Sequence, residues 1–458
     1  MESVDSTVIA TSLEAIARDL RQDPLALKLA ITSYLVAQAV FIPASAWIAD
    51  RFGARNVFRL AIGVFITGSI MCGMSDTLSG FVVARVLQGL GGAMMMPVGR
   101  LIVLRSIPRA EMIKAFAYLA IPAMIGPVIG PPLGGFITTY LHWRWIFWIN
   151  VPIGILGIVM VSLYIPDVRE ENPGRLDVVG FLLAGVALSC LIFGFTVTGG
   201  HFLALWQILG LLGAGFGALG LYLLHSRRTE NPLLDLTLLR IRNFSYAVIS
   251  SMLFRISVGA VPFLLPLLLQ VGFGMSAAQS GMITFASAGG SMFIKAAAPA
   301  ILRRYGFKLV LMLCGAGSGL LLAVNGLYTI ETPHWVIFSV LFLSGFFRSL
   351  QFTSLNGLAF ADVPTAQMSK ATSLVSVLQQ FATAAGVAIG AGVVELTLFA
   401  RGGDHLRAED FSWSFFTVAA LTVSSSFVFI TMPRDAGAEV SAGVSKTEVG
   451  SQRKGASG

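Results

Sequence analysis

Apolar runs of about 18–25 residues alternate with short polar turns along nearly the whole chain. A helix needs about 20 residues to cross a bilayer. Barrel strands would be shorter and alternate in polarity, and that pattern is absent here. The runs predict membrane helices near 1–15, 28–48, 57–75, 79–103, 113–138, 145–166, 176–197, 203–225, 243–271, 279–302, 307–329, 333–360, 371–398 and 411–432. The first run is too short to span, so the first helix is expected to be truncated in this chain, with a native start upstream of Met1. From Pro433 onward the chain is rich in Gly, Ser and charge and has no apolar period, which predicts a disordered tail.

The turns carry the charge. Arg51, Arg55 and Arg59 share one turn, and Arg105, Arg109 and Lys114 another. Arg227, Arg228, Arg240 and Arg242 share a third, and Arg303, Arg304 and Lys308 a fourth. All four fall on one side of the predicted topology. The intervening turns at 75–80, 198–201 and 331–334 hold no Lys or Arg. The basic side is expected to be cytoplasmic by the positive-inside rule, which puts the C-terminus in the cytoplasm. Arg18, Arg21, Lys28, Arg401 and Arg407 are minor exceptions on the outer side.

Composition agrees with this pattern. The chain has 458 residues, 55% hydrophobic and only 12% charged, against about 25% charged in soluble proteins. The formal net charge of +8 comes from scattered loop residues rather than a basic stripe, which excludes a nucleic-acid surface. Cys72, Cys190 and Cys314 lie inside apolar runs without metal spacing and are expected to be packing residues. The histidines at 142, 201, 225, 334 and 405 are spread over loop-adjacent positions on both sides and cannot form one acid–base or metal site. No cofactor and no metal are expected, and the chain is not expected to be an enzyme. A non-transporting sensor would need a recognisable soluble domain, and none is visible.

Two turns repeat. Asp50-Arg51-Phe52-Gly53-Ala54-Arg55 has a counterpart at Arg303-Arg304-Tyr305-Gly306-Phe307-Lys308, the glycines 253 positions apart. A second echo pairs Arg85-x-x-Gln88 with Arg348-x-x-Gln351. The offset fits two six-helix halves separated by two inserted helices. The expected fold is an all-α polytopic membrane protein. It comprises an N-terminal bundle over 1–166, inserted helices and linker over 167–242, a C-terminal bundle over 243–432 and a tail over 433–458.

The turn at 46–56 resembles the loop signature of the major facilitator superfamily, with Asp50, Arg51, Gly53 and Arg55 at its charged positions. Ala46 stands where that signature has its first glycine, and the basic residue sits one place late. Arg85-Val86-Leu87-Gln88-Gly89-Leu90-Gly91-Gly92 resembles the fourth-helix motif of that family, and Gly126-Pro127-Val128-Ile129-Gly130-Pro131-Pro132-Leu133-Gly134-Gly135 its fifth-helix antiporter motif. The segment from Trp143 to Gly154 and the stretch Val4-Asp5-Ser6-Thr7-Val8-Ile9 are similar to signatures of the 14-span drug:proton antiporter branch, although Glu14 stands where a proline is usual. The overall layout looks like the multidrug resistance protein D group of that branch.

The resemblance implies a proton-coupled exporter working by alternating access. It also implies a conformational latch at Asp50, Arg51, Gly53 and Arg55, and a gate helix at Gly126, Pro127, Gly130, Pro131, Gly134 and Gly135. A metabolite symporter for uptake is the alternative, against which the Gly/Pro-rich fifth span speaks. The expected partners are a small-molecule substrate, protons and the lipid bilayer, with the chain acting as a monomer.

Charges inside spans are costly, roughly 2.5–3.5 kcal/mol each on insertion scales, and mark functional sites by default. Asp5, Arg85, Arg255 and Arg348 fall one each in the first, fourth, ninth and twelfth spans, which the resemblance makes cavity-lining. Asp5 is therefore expected to carry the coupling proton. Arg85, Gln88, Arg255, Arg348, Gln351 and Lys295 are expected at the substrate cavity. The excess of guanidinium groups suits a carboxylate or phosphate cargo. The competing reading is that Arg255 or Arg348 pairs with Asp5 or with backbone carbonyls.

Overall fold

A computed structural model describes residues 1–106, 112–165, 176–198, 203–295, 297–364, 367–403 and 405–433, with side chains 104–125 and 369 left out. The expected tail beyond Pro433, His201 and the basic side chains of Arg105, Arg109 and Lys114 lie outside the described residues.

Every apolar run folds as helix. The first path is broken: α1 (Glu2–Val8), one 3-10 turn (Ile9–Ser12) and α2 (Leu13–Asp19). There follow α3 (Lys28–Phe52), α4 (Ala54–Met74), α5 (Leu78–Ser106), α6 (Met112–Tyr140), α7 (Trp145–Trp148) and α8 (Asn150–Tyr164). The inserted pair is α9 (Val178–Val197) and α10 (Leu205–Ser226). The second half holds α11 (Arg242–Leu267), α12 (Ala277–Lys295), α13 (Ala298–Asn325), α14 (His334–Ala361), α15 (Met368–Arg401) and α16 (Ser412–Phe427). Ten helices among the described residues are long and apolar enough to cross a membrane.

The repeat read from the sequence has a structural counterpart. Gly53 (φ 89°) breaks the path between α3 and α4, and Gly306 (φ 73°) interrupts α13. Both turns need a left-handed residue, which glycine adopts without steric cost. The packing repeats as well. Helix α3 packs on α5 as α12 packs on α14, and α1 packs on α6 as α11 packs on α15. The two halves meet through α3 against α15 and α6 against α12, while α9 lies against both α3 and α15.

One boundary differs from the sequence reading, which ran span ten to residue 302. Helix α12 stops at Lys295, and Pro299 lies in the first turn of α13, where its missing N–H has no helical partner to lose. Lys295, read as lying within span ten toward its cytoplasmic side, is thus an exposed helix-end residue, and an ammonium there reaches water.

The outward surface is apolar. Leu163, Tyr164, Leu205, Trp206, Leu320 and Phe399 are each more than 60% exposed, as suits side chains facing lipid rather than a core.

Candidate functional site

Three features meet between and inside the halves: a sealed charge network, a seam, and a cavity.

The network lies in the first half. Arg85 Nη1 donates to Asp5 Oδ2 at 2.7 Å and to Gln88 Oε1 at 2.6 Å. Asp5 Oδ1 accepts from Gln88 Nε2 at 2.8 Å and from Asn150 Nδ2 at 3.0 Å. Ser69 Oγ accepts from the same two amides at 3.1 and 3.0 Å. The Tyr34 ring lies under the guanidinium, 4.1 Å from its carbon. Arg85 and Asp5 are 1% and 3% exposed. Glycines bring these helices together. A Cβ at Gly89 would lie 2.6 Å from the Tyr34 carbonyl oxygen, and one at Gly68 2.6 Å from the Gln88 backbone nitrogen.

The sequence placed Asp5, Arg85 and Gln88 at the cavity; they lie instead inside the first bundle. Their mutual attraction explains it: a buried ion pair with every oxygen hydrogen-bonded costs far less than either charge facing an apolar wall alone. The second half repeats the frame without the acid. Gln351 Nε2 donates to Ser425 Oγ at 3.2 Å and is fully buried, so it too is absent from the cavity wall. Arg255 stacks over Phe352 at 4.9 Å and is likewise not a lining residue. Neither Arg255 nor Arg348 pairs with Asp5; Arg85 does.

The seam closes one face, opposite the Gly53 and Gly306 turns. Lys28 Nζ, fully buried, donates to Glu395 Oε1 and Oε2 at 2.6 and 2.7 Å. The pair joins α3 to α15 across the halves. Deeper in the same seam, Gln380 Nε2 donates to Gln38 Oε1 at 2.5 Å, and Gln38 Nε2 donates to Glu2 Oε1 at 2.7 Å. On the other seam, the Ala278 N–H donates to Thr139 Oγ1 at 2.9 Å. Gln270 Nε2 donates to the Thr11 carbonyl at 3.1 Å.

The gate-helix glycines of α6 divide between two neighbours. Gly126, Gly130 and Gly134, at i, i+4 and i+8 along one face of α6, face Ser3 and Thr7 of α1 and Thr11 of the turn after it. Gly135 faces α12 instead, where a Cβ would lie 2.3 Å from the Ala277 carbonyl oxygen. Pro131 meets Gly281 of α12, and Pro127 and Pro131 line the cavity. A Cβ at Gly134 would lie 2.5 Å from the Val8 carbonyl oxygen, a backbone atom with no rotamer to yield. Gly134→Ala is therefore expected to destabilise the protein by roughly 1–3 kcal/mol. Thermal unfolding in detergent measures it, and an unchanged midpoint would mean that the α1–α6 contact has slack.

Of the turn residues, Asp50 and Arg55 are half-buried and Arg51 is exposed. Arg55 Nη1 donates to the Ile165 carbonyl at 3.5 Å, which ties the turn to the end of α8.

The cavity, of about 260 Å³, lies between the halves on the turn side of the seam. Its first-half wall is Thr7, Ala10, Thr11, Pro127, Val128 and Pro131. The second half supplies both charges, Arg348 and Lys295, along with Ser287, Ser291 and Thr284. Arg348 Nη2 donates to Ser287 Oγ at 2.6 Å. None of the described lining residues is a carboxylate.

Sequence reasoning missed several of these groups. Lys28 looked like a stray outer charge, and Glu395 lies 367 positions away. Tyr34 and Gln38, polar and four apart inside an apolar run, were a readable signal of one buried face. Glu2 is the acid that Gln38 bonds.

Comparison with known proteins fits this architecture. Residues 1–387 match the Major Facilitator Superfamily. The chain is 36% identical over 441 residues to the "Putative multidrug resistance protein MdtD" of Escherichia coli (strain K12), covering 95% of this chain and 93% of that protein. Among solved structures, a D-xylose-proton symporter superposes with a TM-score of 0.69 at 12% identity, covering 95% of this chain and 96% of that one. A POT family transporter in complex with 5-aminolevulinic acid gives 0.68 at 16% identity, covering 94% and 93%. With its repeated bundles, its seam and its central cavity, this multi-pass membrane protein belongs to the major facilitator superfamily.

Proposed function

We propose that the protein is a proton-coupled exporter of small anionic or zwitterionic molecules. It works by alternating access in the cytoplasmic membrane, as a monomer with its C-terminus in the cytoplasm. The basic turns orient it, so the Gly53 and Gly306 face is cytoplasmic and the Lys28–Glu395 seam is outer. The arrangement then corresponds to a state closed outside with its cavity on the cytoplasmic side. The multidrug resistance name of the E. coli relative and the Gly/Pro face of α6 support outward transport. The organisation that fits is an N-terminal bundle to about residue 166, an inserted pair to 242 and a C-terminal bundle to 432.

The observation that carries the cargo class is the cavity's charge: Arg348 and Lys295, with no acid among the described lining residues. A guanidinium fork binds carboxylates through paired charge-assisted hydrogen bonds, whereas a cationic cargo would meet repulsion. Arg348→Gln is expected to lower export of organic acids about tenfold or more, a single charge-assisted contact being worth roughly 1.5–3 kcal/mol. Export of cations would change far less. Counterflow of labelled acids and of ethidium in proteoliposomes tests it. Good ethidium transport, no acid transport and tolerance of the replacement would overturn the reading.

Asp5 is proposed as the proton-coupling group. Protonating it would strip Arg85 of its counter-charge, so proton uptake cannot occur without rearranging α1, α4, α5 and α8 together. Asp50, Arg51, Gly53 and Arg55 are proposed as the latch for the conformational cycle, supported by the positive-φ turn at Gly53 and the tie from Arg55 to the end of α8.

A further inference from the structure

We propose that Arg255, held over the Phe352 ring, is a capture station for the anionic cargo on its way into the cavity, with Arg348 as the seat beyond it. This rests on the anionic reading above and adds to it the route of entry and the residue that sets its rate.

The other cations of these helices are accounted for. Arg85 is paired with Asp5, Lys28 with Glu395, and Arg348 donates to Ser287. Arg255 has no hydrogen bond and no ion pair among the described residues; its guanidinium carbon lies 4.9 Å from the centre of the Phe352 ring. Its Nε is sealed and unbonded, but its two terminal nitrogens are neither bonded nor sealed, and the residue is partly exposed. A charge inside a span without a counter-charge marks a functional position by default. A guanidinium open at its end is ready to take an anion through charge-assisted hydrogen bonds, and the aromatic face holds it in place.

Helix geometry puts this pair at the open end of the cavity. Leu341, Ser344 and Arg348 of α14 line the cavity, and Phe352 continues the same face one helical turn beyond Arg348. Helix α14 runs from the sealed side to the turn side, so Phe352 lies nearer the turns; it is 42% exposed. On α11, Pro262 and Pro266 line the cavity, and Arg255 precedes Pro262 by seven residues, on the same face. Helix α11 starts at the turn side with Arg242, so Arg255 also lies toward the turns. Arg348 reaches the other way: its partner Ser287 packs against Gly345, three residues nearer the seal on α14. The two guanidiniums are thus successive along the path of entry. Lys295, at the turn-side end of α12, stands at the same mouth. Cations in succession, with no acid among the described lining residues, focus the field and speed the arrival of an anion. Arg348 then sets how tightly it stays.

The test is stopped-flow binding of dansylglycine, an acid that carries its own fluorophore, to the purified full chain in phosphatidylcholine nanodiscs. Uncharged dansylamide and cationic dansylcadaverine are the controls. Arg255→Gln is expected to slow dansylglycine association about tenfold at low salt and to move its Kd by less than about threefold, since a charge on the path lowers the barrier in both directions. The deficit should shrink in high salt. Arg255→Lys should restore the rate, because capture needs the charge. Phe352→Leu keeps the charge but removes the ring that holds it; it should slow association by a smaller factor and serves should the glutamine protein fail to fold. Arg348→Gln should instead raise the Kd, mainly through faster dissociation. A rise in Kd for Arg255→Gln equal to that for Arg348→Gln, at an unchanged association rate, would put Arg255 in the seat and overturn the capture station. An unaltered association rate overturns it too, as does an equal slowing of dansylamide. If Arg348→Gln still weakens dansylglycine in those cases, the anionic reading stands by itself. If dansylglycine does not bind while dansylcadaverine does, the anionic reading falls and the capture station with it.

Discussion

Asp5→Asn is expected to abolish substrate-driven proton movement, down to the leak of protein-free vesicles. The carboxylate accepts from Arg85, Gln88 and Asn150 in a site closed to solvent. An amide in its place is permanently neutral and turns an N–H₂ group toward a ring of donors. Removing one partner of a buried ion pair costs about 3–5 kcal/mol, because the other charge stays behind uncompensated. The variant should therefore unfold at a lower temperature as well. Combining Asp5→Asn with Arg85→Gln separates the two effects. Stability should recover in the double variant, since no lone charge remains buried, while proton coupling should not. Exchange of labelled substrate without a gradient should persist in both. Intact proton coupling in Asp5→Asn would refute the assignment and turn attention to Glu2, the other buried-face acid of α1, which reaches the seam through Gln38.

Glu395→Gln is expected to open the outer face. Lys28 is fully buried and both of its bonds run to that carboxylate. The contact joins α3 to α15 and can exist only while the halves are closed there. Its loss penalises the sealed state alone by about 3–5 kcal/mol, which shifts the equilibrium toward the outward-open state on the order of a hundredfold or more. Ala277 gives the readout, being buried against Gly135 in the seal. With the native cysteines replaced, a cysteine at 277 should react with a membrane-impermeant thiol reagent at least tenfold faster in the Glu395→Gln background. The exchange Lys28→Glu with Glu395→Lys should restore slow labelling. An unchanged rate would mean that the glycine contacts of α6 and α12 hold the seal without the ion pair.

The sequence by itself determined what depends on near neighbours. A run of about 20 apolar residues must hydrogen-bond its own backbone in lipid, so helix is the only local solution. That is why the runs read from hydropathy reappear as α1 to α16. Gly53 and Gly306 were legible for the same reason, since a sharp turn between two helices needs a left-handed residue and the requirement is met within the turn itself. The break after Lys295 was missed although Pro299 marks it, because the apolar run continues smoothly across it.

Tertiary structure alone decided which charges meet. Hydropathy shows that Asp5, Arg85, Arg255 and Arg348 are expensive inside a membrane, but not which way each helix is rotated. Rotation put Asp5 and Arg85 face to face inside the first bundle and left Arg348 on the cavity wall. It also joined Lys28 to Glu395, a pairing that no spacing announces. The glycines of α6 show the division most plainly. Their i, i+4, i+8 stripe announces a close helix contact, yet only the packed structure says that Gly126, Gly130 and Gly134 meet α1 and its following turn while Gly135 meets α12. A helix surface specifies that it needs a neighbour; the neighbour is chosen by the shape and charge of every other helix at once.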